Sequence, residues 1–204
     1  MINEGFKITK DFKLKGKYKY HPKSHIELIS LLKTLLDERG PNADLNDIDT
    51  SNVRDMSTLF PTVDKDIHNI NISEWNVINV TNMDTMFYNT DITTLDLSKW
   101  NVRKVESMRG MFFKCKYLQN TGNLNDWKVD KVEDMSFMFN DCKNLRNIGD
   151  ISSWDIDNKN MEYAFAGTEK LKTIGDIKHW KPKDLIPNIF SRSEIKPQPD
   201  RWVR

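Results

Sequence analysis

The amino-acid sequence predicts an α/β solenoid of about six 26-residue units with a strand-and-helix cap at its amino end, on three observations. Trp75, Trp100, Trp127, Trp154 and Trp180 recur at intervals of 25, 27, 27 and 26 residues, with Ile48 one interval before the first. Phe60, Phe87, Phe112, Phe139, Phe165 and Phe190 run in phase with them at intervals of 27, 25, 27, 26 and 25 residues. Within each unit the apolar period changes from two to three or four after the Trp, as expected where a strand gives way to a helical turn.

Residues 1–44 are expected to form the cap. Phe6, Ile8, Phe12, Leu14, Tyr18 and Tyr20 all fall at even positions, which predicts strands with one apolar face and one lysine-rich face. Lys13, Lys15, Lys17 and Lys19 would form a basic patch, since residues 7–23 hold seven lysines against one aspartate. Ser24-His25-Ile26-Glu27 has capping-box spacing, Ile26, Ile29, Leu32 and Leu36 with Leu28 and Leu35 make an apolar helical face, and Gly40-Pro41 ends it. A helix over about 24–39 should cover the first repeat, because a stack of repeats exposes its core at both ends.

Residues 45–190 are the repeats. Ile67-x-x-Ile70-x-Ile72-x-x-Trp75 and Ile92-x-x-Leu95-x-Leu97-x-x-Trp100 have leucine-rich-repeat spacing, with Trp where such repeats usually place Asn. The alternation predicts a short strand with one face in the core. In the later units an inserted Gly, as in Ile148-Gly149-Asp150 and Ile174-Gly175-Asp176, suggests a bulge or a shifted strand start. After the Trp, series such as Val77, Val80, Met83, Met86, Phe87 predict a helical turn or two, capped by Asp55, Asn82, Ser107, Asp134 or Asn160 just before the first Met.

The strings IDTSNVRDMSTLF (48–60), WNVINVTNMDTMF (75–87) and WKVDKVEDMSFMF (127–139) resemble the BspA-like leucine-rich-repeat family, the bacterial surface protein repeat. The resemblance covers roughly residues 45–180 and implies a solenoid that binds proteins or cell surfaces. The unit at Trp154 is one residue short before Phe165, and the unit at Trp180 contains Pro182 and Pro187, so both should be irregular. Residues 191–204 read as an irregular tail, anchored by Phe190 and Trp202.

Thirty-one basic against thirty acidic residues leave a net charge of +1, which makes no general electrostatic case for nucleic acid or an anionic membrane. No apolar run approaches the 18 or so residues of a membrane span, and MINEGFKITKDF lacks the apolar stretch of a leader, so a cytoplasmic chain is expected. His21, His25, His68 and His179 lie in unrelated contexts with no nucleophile, base and acid joined by a motif, so no enzyme and no catalytic residue are expected. Cys115 and Cys142 lack partners at metal-ligand spacing, and neither a metal nor another cofactor is expected. Each follows its repeat's Phe by three residues, which stacks the pair either within disulfide reach or as small apolar members of a ladder.

Residues not needed for the core point to binding. Asn71, Asp96, Asn123, Asp150 and Asp176 stand four before each Trp, and Ser73-Glu74, Ser98-Lys99, Asn125-Asp126, Ser152-Ser153 and Lys178-His179 stand just before it. Side by side these columns make a polar, variable face. The function expected is a non-catalytic module that binds a protein through this face. One alternative is a phage or mobile-element inhibitor of an intracellular host enzyme or nucleoprotein, with nucleic acid held by the basic amino terminus. The other is a bacterial surface adhesin.

Overall fold

A computed structural model describes residues 17–183 and 186–195. Among these residues the expected strand, turn and helix unit does not form, and the α/β solenoid is corrected to a stack of turn-built repeats. No sheet is present among the described residues. Parallel pairing is confined to single-residue bridges, which join Asp44 to Asn71, Thr94 to Asn120 to Asn147, and Asp55 to Asn82, Ser107, Asp134 and Asn160 in succession. The strands expected over residues 7–16 lie outside the described residues, and Tyr20 contributes one bridge, to Ile48.

The stretch before each Trp is prevented from extending by its own side chains. Asn71 accepts from the Ser73 N–H (3.3 Å), Asp96 from Ser98 (3.1 Å), Asn123 from Asn125 (3.3 Å), Asp150 from Ser152 (2.9 Å) and Asp176 from Lys178 (3.1 Å). These are Asx turns, in which a side-chain oxygen replaces the backbone partner that a ladder would supply. The Trp N–H then closes a second turn, as from Trp75 to Ile72 (3.1 Å) and from Trp100 to Leu97 (3.0 Å).

The expected helical turns fail for a different reason. Thr58, Thr85, Gly110, Phe137 and Tyr163, each two residues after the first Met of a repeat, have φ of 50, 51, 58, 58 and 54°. A left-handed residue cannot continue a right-handed helix. The N–H groups alternate instead: Met83, Thr85, Phe87 and Asn89 donate to Ser107, Arg109, Met111 and Phe113 of the next repeat at 2.8–2.9 Å, while Met86 and Tyr88 close turns on Met83 and Thr85. Asp55, Asn82, Asp134 and Asn160, expected as helix caps, are the acceptors of further Asx turns. Within the repeats, helix survives as α2 (Leu59–Val63) in the first and α3 (Ile186–Ile189) in the last.

Side chains then hold the repeats in register. The six ladder Phe rings stack at centroid distances of 4.9–5.5 Å. Trp75, Trp100, Trp127 and Trp154 each send the indole N–H to the preceding repeat, to Leu45, Ile72, Leu97 and Leu124 carbonyls at 2.9–3.2 Å. The buried rings thus contribute apolar area and satisfy a neighbour's backbone at once. The inserted glycines fit beneath the Asx column: Gly149 has φ of 87°, and a Cβ there would lie 1.8 Å from Asn123 Oδ1.

At the amino end α1 (His25–Arg39) begins with a reciprocal cap, Ser24 Oγ accepting from the Glu27 N–H (3.2 Å) and Glu27 from the Lys23 N–H (2.8 Å). Leu28, Leu32, Leu35 and Leu36 are buried and α1 packs on α2. Ile26, assigned to the apolar face by spacing, is 77% exposed. Arg39 fixes the far end, reaching both Asp47 oxygens at 2.8 Å and the Asp44 carbonyl at 2.5 Å.

Candidate docking surface

The expected recognition columns fall on one edge, where each repeat turns before its Trp. Asn71, Asp96, Lys99, Asn123, Asp126, Asp150, Lys178 and His179 are exposed, and Ser73, Glu74, Ser98 and Asn125 partly so. The column four before the Trp is engaged in building turns. Beyond the N–H contacts above, the Ser73 and Ser98 hydroxyls donate to Asn71 (2.9 Å) and Asp96 (2.6 Å), and bonds from Ser152 hold the Asp150 carboxyl below its ordinary range. The residue just before the Trp is not constrained in this way.

Glu74 joins the two surfaces that the sequence suggested separately. Its carboxylate accepts from Lys99 and, at 3.1 Å, from Lys17, and these bonds lower its pKa while Glu74 raises that of Lys17. Lys19 lies over the Tyr20 ring at 4.9 Å. Lys13 and Lys15 lie outside the described residues. Beside Lys99, a polar cleft of about 320 Å³ is lined by Ser98, Arg103, Asp126 and Lys128 among others.

A second surface escaped sequence reasoning. Tyr88, Phe113, Phe137 and Tyr163 form an outer aromatic stack, all partly exposed, with centroids 5.4, 5.9 and 5.5 Å apart and ring planes tilted by 39, 45 and 28°. Tyr88 and Phe113 stand five residues after their Met, whereas Phe137 and Tyr163 stand two after theirs. Where the aromatic changes offset, Gly110 leaves a cleft of about 340 Å³ walled by Thr85, Tyr88, Phe113 and Phe137, with Arg109 at its rim. The sequence signal was this exchange of offsets, visible only when the repeats are aligned on Met.

Both edges belong to a segment with recognised kin. Residues 30–147 and 118–194 match the family described as Mycoplasma protein of unknown function, DUF285. The chain belongs to that family. Neither a curated protein nor a solved structure matches it. In this DUF285 chain no group of three or more His, Cys, Asp and Glu residues is placed to hold a metal, among the described residues. No described helix is long and apolar enough to cross a membrane. The two thiols are free and buried: Cys115 Sγ donates to the Phe87 carbonyl (2.8 Å) and Cys142 Sγ to that of Phe112 (3.0 Å). Burial pushes the Cys115 pKa up to about 12 and raises that of Cys142, which leaves neither a nucleophilic thiolate.

Proposed function

We propose that this chain is a non-catalytic repeat module, related to BspA-like surface-repeat proteins, that binds a protein partner through the edge preceding each Trp. The supporting observation is a contrast within that edge. The position four before the Trp is always Asn or Asp and serves a turn, whereas the position just before it changes from Glu74 to Lys99, Asp126, Ser153 and His179. A constant backbone carrying varied side chains is how repeat arrays make selective faces, and charges of both signs discriminate partners by pattern.

The test replaces Glu74, Lys99 and Asp126 together by Ala and compares affinity capture from the native host, identified by mass spectrometry. Capture should be abolished while the urea midpoint stays put, since solvated side chains contribute little stability. Replacing Lys13, Lys15, Lys17 and Lys19 should leave capture intact, and binding should depend weakly on salt. Loss confined to the lysine variant, with a steep salt dependence, would replace this reading with nucleic-acid or nucleoprotein binding at the basic end.

A further inference from the structure

We infer that the cleft of about 400 Å³ between the return of the first repeat and the second repeat is a docking site for a basic segment of a protein partner, one that lays an arginine side chain on Tyr88 among the carboxylates of Asp64, Asp66 and Asp91. This surface shares no residue with the Trp-side edge and stands whether or not that edge binds a partner.

The cleft comes from a step in chain length. From the ladder Phe to the next buried apolar residue the first repeat advances seven positions, Phe60 to Ile67, and the second advances five, Phe87 to Ile92. The longer return carries Asp64, Lys65 and Asp66 exposed beside the second repeat, and the space between them is lined by both.

The charges of the lining are unbalanced. Asp64, Asp66 and Asp91 accept no side-chain hydrogen bond and pair with no cation among the described residues. The one cation of the lining, Lys65, is held by Asp37 of α1 at 2.6 Å. On the third repeat Lys114 and Lys116 lie over the Phe113 and Tyr117 rings at 5.0 Å, and neither lines the cleft. Unanswered negative charge repels phosphates and complements a basic partner.

The kind of cation follows from the spacing and from the ring. Among the described residues no three His, Cys, Asp and Glu groups are placed to hold a metal ion, so carboxylates spread around a cleft suit a cation that is itself extended. Tyr88 ends the outer stack, because the first repeat carries Pro61 where the next two carry Tyr88 and Phe113. Phe113 takes no part in the lining, so the Tyr88 ring meets the cleft on the side away from its partner. The ring already draws one cation, Lys114, to 6.0 Å from its centroid. A guanidinium stacks on such a face and its fork of N–H groups reaches separate carboxylates, while Pro61 offers an apolar wall to the arginine stem.

The probe is a displayed library of random 12-residue peptides, selected on the intact chain, with the best sequences resynthesised and measured by fluorescence anisotropy. Arginine-bearing sequences should be enriched. Their affinity should fall about tenfold or more when citrulline replaces the arginine, and equally in the chain carrying Asp66→Asn with Asp91→Asn. Glu133→Gln, at an exposed carboxylate elsewhere, should leave it unchanged. Neither Asp66 nor Asp91 holds a side-chain bond in the fold, so the urea midpoint of the paired variant should match the parent, which separates lost docking from lost fold. Lysine in place of the arginine should also weaken binding, and by less in Tyr88→Leu, where the stacking face is gone. No enrichment, acidic or uncharged sequences, affinities indifferent to the paired variant, or displacement of the peptide by equimolar spermidine or Ca²⁺ would each overturn the inference.

Discussion

A glycine can be required by its torsion, by its neighbours, or by both, and the repeats contain each case. Gly110 has φ of 58°, the ordinary left-handed region, and a Cβ there would meet Thr85 Cγ2 at 3.3 Å and Phe113 Cβ at 3.4 Å. Gly149 has φ of 87°, and its Cβ would lie 1.8 Å from Asn123 Oδ1 and 2.4 Å from Asn125 Oδ1. The Asn123 oxygen cannot move away freely, since it holds the Asx turn of its own repeat. Gly110→Ala should therefore cost about 1–2 kcal/mol, the torsional penalty alone. Gly149→Ala adds a broken turn and a displaced polar group, for a total of about 3 kcal/mol or more. Urea melts of the two variants check the order, and equal losses would mean that the Asx column is not fixed as described.

At the level of elements, α1 is tied down by two charge-dependent ends. Hydrogen bonds from Arg39 lower the Asp47 pKa below its unfolded value, so the clamp is complete above about pH 4 and is lost as pH falls through the folded pKa. Asp47→Asn should lower the midpoint of urea unfolding at pH 7 and flatten its decline between about pH 4 and 2; parallel pH profiles for variant and parent would remove the clamp from the account. The helix was legible because capping, apolar spacing and the Gly-Pro stop are all local. The repeat backbone was not. Ile70 and Ile72 point inward as their spacing requires, but alternation records which side chains are buried and not how long the chain stays extended. Asn71, read as surface, was the residue that turned the chain. Likewise Met83, Met86 and Phe87 lie in the core at helical spacing while Thr85 interrupts the helix, and nothing in a threonine announces φ of 51°. The Trp-side edge could be read as whatever the core did not need, whereas the aromatic cleft depends on rings at two different offsets that meet only in the stack.

Over the whole molecule, bonding runs from repeat to repeat, so stability should accumulate through nearest neighbours and be lowest where a repeat carries an unmet buried group. The amino end is covered by α1. The interior repeats are bonded on both sides: Met108, Gly110, Phe112 and Lys114 donate forward to Asp134, Ser136, Met138 and Asn140, and the carbonyls of Ser107, Arg109, Met111 and Phe113 accept from behind. The last repeat receives Phe165 and Gly167 N–H groups at the Ile189 and Ser191 carbonyls, and its Trp180 carries a buried indole N–H without an acceptor among the described residues. An unmet buried donor costs about 1–3 kcal/mol, so the sixth repeat should open first. Native-state hydrogen exchange followed by mass spectrometry should find the slowest amides over 108–114 and 135–141 and markedly faster exchange over 186–195, with the gap shrinking as denaturant brings global unfolding into play. Uniform protection across the repeats would mean that the stack opens as one unit, and that the last repeat is held as firmly as the interior ones.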